Sequence, residues 1–299
     1  PLDLQKLDAI VLTHAHLDHS GFIPAVYKQG FRGPVYAHPA TISLCSILLV
    51  DSGHIQEDDA KFYGKHKISR HENPEPLYDK ATAQACLSLF QPVDFDEMFK
   101  IGDIDVTLQS VGHILGAASV ILQADGKRVG FSGDVGRLSK EQCYDMCHVA
   151  SFTKTVDESK ALAELTLPHI IIAGSGMATG GRILHHMKRL LGDYRTTILF
   201  TGYLSGGTRG AKMIAGQNTV KIHGKWWPVK AEVEVLHGLS GHSDYQEITQ
   251  WLKSSQLKAK TKIRLVHGEP EASEAMRDHL KQNTQFDVEV ASYHEILRL

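Results

Sequence analysis

Cysteine is scarce in this chain: four residues in 299, with no Cys-x-x-Cys pair among them. That excludes a disulfide-stapled scaffold and a thiolate zinc ribbon. Cys143 and Cys147 stand at helical i, i+4 spacing, and the thiols read as buried and reduced. Long apolar runs are absent as well, none approaching the roughly 20 residues that cross a bilayer. The opening Pro1-Leu2-Asp3-Leu4 lacks the basic and apolar regions of a secretory signal, so no membrane partner is expected and the cytoplasm is the default location. Neither sign of charge dominates: 32 Lys and Arg against 34 Asp and Glu give a formal net charge of −2. Any surface for a polyanion has to be a local patch. No methionine opens the chain, and Asp8 to Thr13 already reads as a core strand that needs neighbours on both sides. Strands upstream of Pro1 are therefore expected.

What is abundant is histidine, with 18 residues. Histidine is the commonest metal ligand among side chains and the natural acid or base near neutral pH, so the question is which of them converge. Four ligand-type side chains fall within six residues in His14-Ala15-His16-Leu17-Asp18-His19. Two imidazoles one residue apart can face the same side, and the following carboxylate and imidazole can reach a second point. A surface histidine cluster is the competing reading, but such density favours metal binding.

The elements around this loop alternate. Leu7–Thr13 is a short apolar run of the buried-strand kind, which leaves His14–His19 on a loop at its carboxyl end. Phe22–Gln29 reads as a helix, Pro34–Ala37 as a strand and Thr41–Val50 as a helix with an apolar face, while His54–Pro76 reads as a helix end running into an exposed connection. Ile104–Leu108 and Ala118–Leu122 read as strands flanking the glycine-bounded His113, and Val129–Ser132 as a strand ending on Gly133-Asp134. Glu141–Val149 and Val156–Leu165 read as helical. His169–Ala173 and Thr197–Thr201 read as strands, each followed by a glycine-rich loop and a helix. Val220–Ile222 and Val229–Leu236 read as strands, Glu247–Lys253 as a helix, Ile263–Val266 as a buried strand ending on His267, and Glu271–Gln282 as a final helix. The fold class is α/β.

A catalytic zinc keeps one coordination position open for water, and two zincs about 3.5–4 Å apart can clamp both oxygens of an in-line displacement. One loop holds too few ligands for two ions. His113, Asp134 and His267 each adjoin an expected strand and are flanked by glycine, which permits close backbone approach. Singly, each reads equally well as a hydrogen-bonded structural residue. With the loop, they complete two three-ligand sites and a bridge.

These motifs, in this order, resemble those of the metallo-β-lactamase superfamily. Ser240-Gly241-His242-Ser243-Asp244-Tyr245, with Leu265-Val266-His267-Gly268-Glu269, resembles more narrowly its β-CASP branch of RNA-processing nucleases. The resemblance covers essentially the whole chain. It implies an αββα sandwich formed by residues 1–137 and 253–299, with an inserted α/β β-CASP cassette at 138–252. It implies two Zn2+ ions, one held by His14, His16 and His113 and the other by Asp18, His19 and His267, with Asp134 bridging. Asp18 and His242 would be catalytic, His242 as the acid that protonates the leaving oxygen. The expected reaction is hydrolysis of single-stranded RNA to 5′-phosphate and 3′-hydroxyl ends, and a second copy of the chain is a candidate partner. On the residues alone, His242 beside Ser240 and Asp244 reads as readily as a helix-cap neighbour.

Two departures accompany the resemblance. The strands that precede the His-x-His motif in the family are not here, and Gly133-Asp134-Val135-Gly136-Arg137 runs almost directly into Leu138–Cys143, where the family carries an acidic motif, a strand and a glycine-containing segment. Part of the cassette is therefore expected to be missing from this sequence. A thioester or lactam hydrolase of the same superfamily, or an RNA-binding scaffold with impaired catalysis, remain alternatives.

In the segment Gly174–Arg182, the residues Ser175, Gly176, Thr179, Gly180, Gly181 and Arg182 offer backbone N–H groups, hydroxyls and a guanidinium at a helix start, and Arg209 closes a second such turn. Both can bind phosphate. Taken alone, the glycines read more simply as tight strand-to-helix turns. Lys188-Arg189, Lys221, Lys225 and Lys230 read as solvated surface or a backbone-binding track. Trp226-Trp227 reads as packed core more readily than as a stacking platform, and His185-His186 as a partly exposed helical pair outside the metal set.

Overall fold

The computed structural model describes residues 3–67, 71–136, 155–165, 168–202, 206–236, 241–255 and 257–293, together with 151, 153, 204, 295 and 296. The expected helix Glu141–Val149, with Cys143 and Cys147, lies outside the described residues, as do Arg137 and Ser240.

The apolar run before the histidine loop becomes a short central-layer strand, β1 (Ile10–Val11). It pairs in parallel with β2 (Val35–Ala37), and β2 pairs in parallel with β3 (Phe90–Pro92). Successive side chains of β2 point to opposite faces, as the pleat requires. Val35 and Ala37 are fully buried against the helices Ile23–Lys28, Pro39–His66 and Lys80–Cys86, through Ala25, Cys45, Leu49 and Ala83. Tyr36, between them, faces the other way and meets Phe99 at 4.6 Å between ring centroids.

Phe99 belongs to an antiparallel meander of β4 (Met98–Ile101), β5 (Ile104–Ser110), β6 (Ala118–Ala124) and β7 (Lys127–Phe131), in that order. Val106, Leu108, Ala118 and Val120 of this sheet pack with Val11 and Tyr36. Helices, a parallel sheet and an antiparallel sheet are thus stacked in layers.

The helix Pro39–His66 corrects the sequence reading, which ended it near Val50 and took His54 onward as a helix end entering a connection. The His38 ring accepts from the Ala40 amide and Pro39 occupies the first turn, so the start is well defined. The charged stretch beyond Val50 carries no proline before Pro74, and a polar sequence alone does not end a helix. Gly53 inside it has a packing reason: a Cβ there would lie 2.8 Å from the Asp79 carbonyl carbon and oxygen. That close approach seats buried Tyr78, whose hydroxyl donates to Ser52 Oγ at 2.9 Å.

Farther along are the helix Val156–Ala161, opened by a Thr155–Glu158 capping box, and the helix Ile183–Leu190. β8 (Thr197–Thr201), the helix Arg209–Ile214 and the antiparallel hairpin of β9 (Thr219–Ile222) and β10 (Lys225–Pro228) follow. β11 (Glu232–Leu236) pairs in parallel with β8. Leu184, Met187, Leu191, Phe200, Met213, Val220 and Ile222 form a core of their own. The expected strand His169–Ala173 is not formed: among the described residues no strand pairs with this segment, and Ile170 and Ile172 are 90% and 85% exposed. An apolar run makes a buried strand only where a neighbouring strand exists to receive it.

The chain closes with the helix Tyr245–Ser254 and the unit β12 (Lys262–Leu265), helix Pro270–Asn283, β13 (Asp287–Val290), whose strands are parallel. No helix among the described residues is long and apolar enough to cross a membrane.

Candidate metal centre

Strand ends converge on one point. Past β1 the Thr13 carbonyl accepts from the Ala118 amide at 2.9 Å, which ties the histidine loop to the first residue of β6. The loop then curls into a single helical turn, Leu17–Ser20, pinned by Ser20 Oγ donating to the Ala15 carbonyl at 2.9 Å. This curl turns His14 fully inward. His113 arrives from the loop between β5 and β6, where it and Gly112 both have positive φ, and it is also buried. Asp134 follows Gly133, whose φ is +58° and where a Cβ would stand 2.9 Å from Thr13 Cβ. Only glycine lets the β7 end come that close.

One ligand atom from each of His14, His16, His113 and Asp134 lies within 4.8 Å of the others. His16 Nδ1 is 3.2 Å from His14 Nε2 and 3.0 Å from His113 Nε2. The Asp134 carboxylate divides its two oxygens: Oδ2 is 3.5 Å from both His14 Nε2 and His113 Nε2, while Oδ1 is 3.5 Å from His19 Nε2. His19 Nε2 is also 3.7 Å from Asp18 Oδ2, and the charge of His267 reaches it. Of the seven residues expected to bind metal, four form the tight cluster and His19 joins through Asp134. Asp18 and His267 stand at the exposed rim.

Electrostatics keep these groups in ligand form. Burial, offset by the Gly241 carbonyl and reinforced by His242, His16 and His14, pushes His113 down to about 4. Burial and then His14 lower His16 and His19. The hydrogen bond with His14 leads the causes that hold Asp134 well below the usual carboxylate range. Burial thus favours the neutral form of His16 and His113 while Asp134 stays ionised, and with His14 they form a donor set of three nitrogens and one oxygen that suits zinc. The residues fit the ion.

His242 reaches the centre from the far side of the sequence. It forms an antiparallel β-bridge with Gly136, its Nδ1 lies 3.8 Å from Asp134 Oδ2, and its ring centroid is 4.6 Å from that of His113. Its side chain is 60% exposed, so the ring touches the cluster on one side and meets solvent on the other. Asp244, two residues on, caps the helix Tyr245–Ser254 by accepting from Gln246 and Glu247 amides. The cap and the placement of His242 beside the metal ligands therefore coexist. The sequence reading missed Gly136, which lets the Asp134 segment touch the His113 backbone, and the Thr13 hydroxyl, 3.2 Å from His14 Nδ1. A glycine two residues past an expected ligand was the available signal for the first.

The glycine-rich segments are held by internal bonds. Ser175 Oγ accepts from the Thr179 and Gly180 amides, each at 3.2 Å, and Gly181 has φ +77°. Arg182 donates to Asp51 Oδ1 at 3.0 Å and to the Thr153 carbonyl at 3.3 Å. Arg209 donates from Nε to the Lys221 carbonyl at 2.8 Å and from Nη1 to the Ala178 carbonyl. Both guanidinium groups thus have protein partners, and Gly176 sits in the same turn as Ser175.

Sequence comparison supplies what geometry alone does not. The beta-lactamase superfamily domain matches residues 1–169, more than half of the chain, the Beta-Casp domain matches 133–213, and the Zn-dependent metallo-hydrolase RNA specificity domain matches 226–291. This chain belongs to the β-CASP branch of the metallo-β-lactamase superfamily. Within that β-CASP family it is 26% identical to Ribonuclease TTHA0252 of Thermus thermophilus, over 90% of this chain and 83% of that protein. It is 24% identical to the Transcription termination factor FttA of Methanocaldococcus jannaschii, over 89% of this chain, and spans 59% of that protein's length. The ribonuclease comparison extends over 379 positions but takes in only 90% of the 299 residues here, so about 110 residues of the relative stand opposite gaps. The metallo-β-lactamase fold with a β-CASP insertion, expected from the motifs, is the fold of this chain.

Proposed function

We propose that this β-CASP protein is a zinc-dependent ribonuclease of the cytoplasm that hydrolyses single-stranded RNA to 5′-phosphate and 3′-hydroxyl ends. One observation carries the reading: the Asp134 carboxylate lies between two histidine groups, with the half-exposed His242 ring 3.8 Å away. His14, His16 and His113 would hold one ion, Asp18, His19 and His267 a second, and Asp134 both. Zinc held there supplies Lewis acidity, which makes water a nucleophile near neutral pH and offsets charge on the phosphoryl oxygens. The chain does the rest. His242 stands where a leaving 3′ oxygen can take its proton, and Asp134 keeps that ring oriented. Residues 138–252 form the cassette, and its Ser175–Arg182 turn and Arg209 segment flank the RNA path. The names of the ribonuclease and termination-factor relatives agree with RNA as the substrate class.

His242→Ala separates binding from chemistry. The variant should keep its zinc, measured by mass spectrometry, while cleavage of end-labelled single-stranded RNA falls by about 10²–10⁴. A 5′-phosphate-dependent exonuclease should digest the products. Full cleavage by His242→Ala would remove the residue from the mechanism.

A second reading has its own observation. The gaps against the ribonuclease and the exposed Ile170 and Ile172 fit a chain that binds RNA but turns it over poorly. Zinc-loaded protein that retains RNA without cleaving it would establish that reading.

A further inference from the structure

The register of one hairpin places an indole and an ammonium side by side on the protein surface. In β9, Val220 and Ile222 are buried and Lys221 is exposed. β10 pairs with it so that Trp227 stands opposite Val220 and Trp226 opposite Lys221. The pleat therefore sends Trp227 inward, where it packs on the cassette core, and Trp226 outward, 67% exposed. Directly paired residues have their Cβ atoms about 5 Å apart on one face. That separation suits a base and its own phosphate.

Beside this pair lies a cleft of about 240 Å³ lined by Trp226, Lys221, Lys212, Gln217, Arg209 and Thr208, among others. Arg209, Lys212 and Lys221 supply three cations to the lining and no carboxylate faces them there. Arg209 is fixed on the floor by its bonds to the Lys221 and Ala178 carbonyls, so its charge is held in place. The positive field extends past the cleft. His223, at the hairpin turn, is pushed to about 4 by burial and then by Lys188, His185 and Arg209, and Lys188 is lowered by burial and by Lys225. Arg209, Lys212 and Lys221, with no carboxylate among the described residues lining the cleft, leave an exposed aromatic face beside unbalanced positive charge, and a polyanion carrying flat apolar groups completes it.

Resting on the ribonuclease reading above, we propose that this cleft is a second RNA-binding subsite, apart from the metal centre. An unpaired base stacks on Trp226, and Lys212 and Lys221 hold adjacent phosphates. Paired bases cannot present a free face to the indole, so the ligand is single-stranded.

The test uses the full chain and a fluorescein-labelled, cleavage-resistant phosphorothioate decauridylate, read by fluorescence anisotropy. Trp226→Ala should weaken binding about tenfold, and Trp226→Phe should restore most of it. An abasic decamer should bind the parent and Trp226→Ala alike. The double change Lys212→Ala, Lys221→Ala should lower the slope of log affinity against log salt by about 1.4, the amount for two phosphates on a single strand. Equal affinity of parent and Trp226→Ala for the decauridylate would overturn the proposal, as would an equal loss on the abasic decamer, which would mean a damaged fold. Hydrolysis of bis(p-nitrophenyl) phosphate tests the metal centre separately and should be unchanged by Trp226→Ala. A chain that binds through Trp226 yet hydrolyses no diester sinks the nuclease reading alone. One that hydrolyses diesters and RNA with no Trp226 dependence of binding sinks this subsite alone.

Discussion

Gly136 and His242 form an antiparallel β-bridge although 106 positions separate them in sequence. Neighbouring bonds lock the contact: the Gly136 amide donates to the Val111 carbonyl at 3.0 Å, and the Ser243 amide to the Val135 carbonyl at 2.7 Å. The strand end that bears Asp134, the loop that bears His113 and the segment that bears His242 are thereby one hydrogen-bonded unit.

The first prediction concerns that contact. A Cβ at Gly136 would lie 2.1 Å from the His113 amide nitrogen and Cα and 2.5 Å from the Gly241 carbonyl oxygen, all of them backbone atoms that cannot rotate away. Gly136→Ala should lower stability by about 2 kcal/mol, in the range of core overpacking. It should also reduce zinc per chain, because His113 has to move. A folded variant with the parent's melting temperature and metal content would refute the assignment of Gly136 as a spacer.

A second prediction concerns Arg182 and Asp51, which join the long helix Pro39–His66 to the turn before Ile183. Both side chains are about one third exposed, so solvent screens the pair. A double-mutant cycle with Arg182→Ala and Asp51→Ala should give a coupling of about 0.5–1 kcal/mol. The same variants decide the phosphate role: loss of RNA affinity in Arg182→Ala but not in Asp51→Ala would mean that the arginine serves the nucleic acid.

Thiol reactivity gives a third. Cys45 and Cys86 are buried, and burial pushes their thiols up to about 11 and about 12, with the Cys45 charge reinforcing Cys86 and Ser20 partly opposing the shift at Cys45. At pH 8 iodoacetamide should leave both unmodified in the folded chain and alkylate both in urea, as peptide mapping would show. Above pH 9 only the unfolded state ionises these thiols, so stability should fall as pH rises.

The fourth concerns acid. Because His223 titrates at about 4 when folded and near its ordinary value of 6.5 when unfolded, the unfolded chain binds the extra proton between those values. This contribution is complete above 6.5 and is lost as pH falls towards 4. Urea midpoints should decline from pH 7 to pH 5, and His223→Gln should make that decline shallower. An identical pH slope in the variant would exclude His223 as its source.

How much of this was legible beforehand depended on whether the partners were near in sequence. His14–His19 could be read because its ligand types fall within one loop, and His113 and Asp134 because glycines beside them announce the positive φ that a close approach requires. Gly136 was not legible: its role is a steric one, visible only against the His113 backbone. The length of Pro39–His66 is not legible because its outer half is rich in charged and polar residues and shows no apolar stripe, although much of it packs against the segment around Tyr78. The two tryptophans could not be told apart until the register with β9 decided which one enters the core, since a one-residue slip exchanges faces. His169–Ala173 has the composition of a strand, but composition does not say whether a neighbour is present.

That last segment also determines where the molecule is vulnerable. Among the described residues no backbone hydrogen bond holds Ile170–Ile172, and two isoleucines stand almost wholly in water. Apolar side chains exposed in this way can be engaged by a protease cleft or by a second extended chain. Limited digestion should therefore include a cut there, and a polar replacement of Ile170 and Ile172 should reduce self-association in concentrated solution.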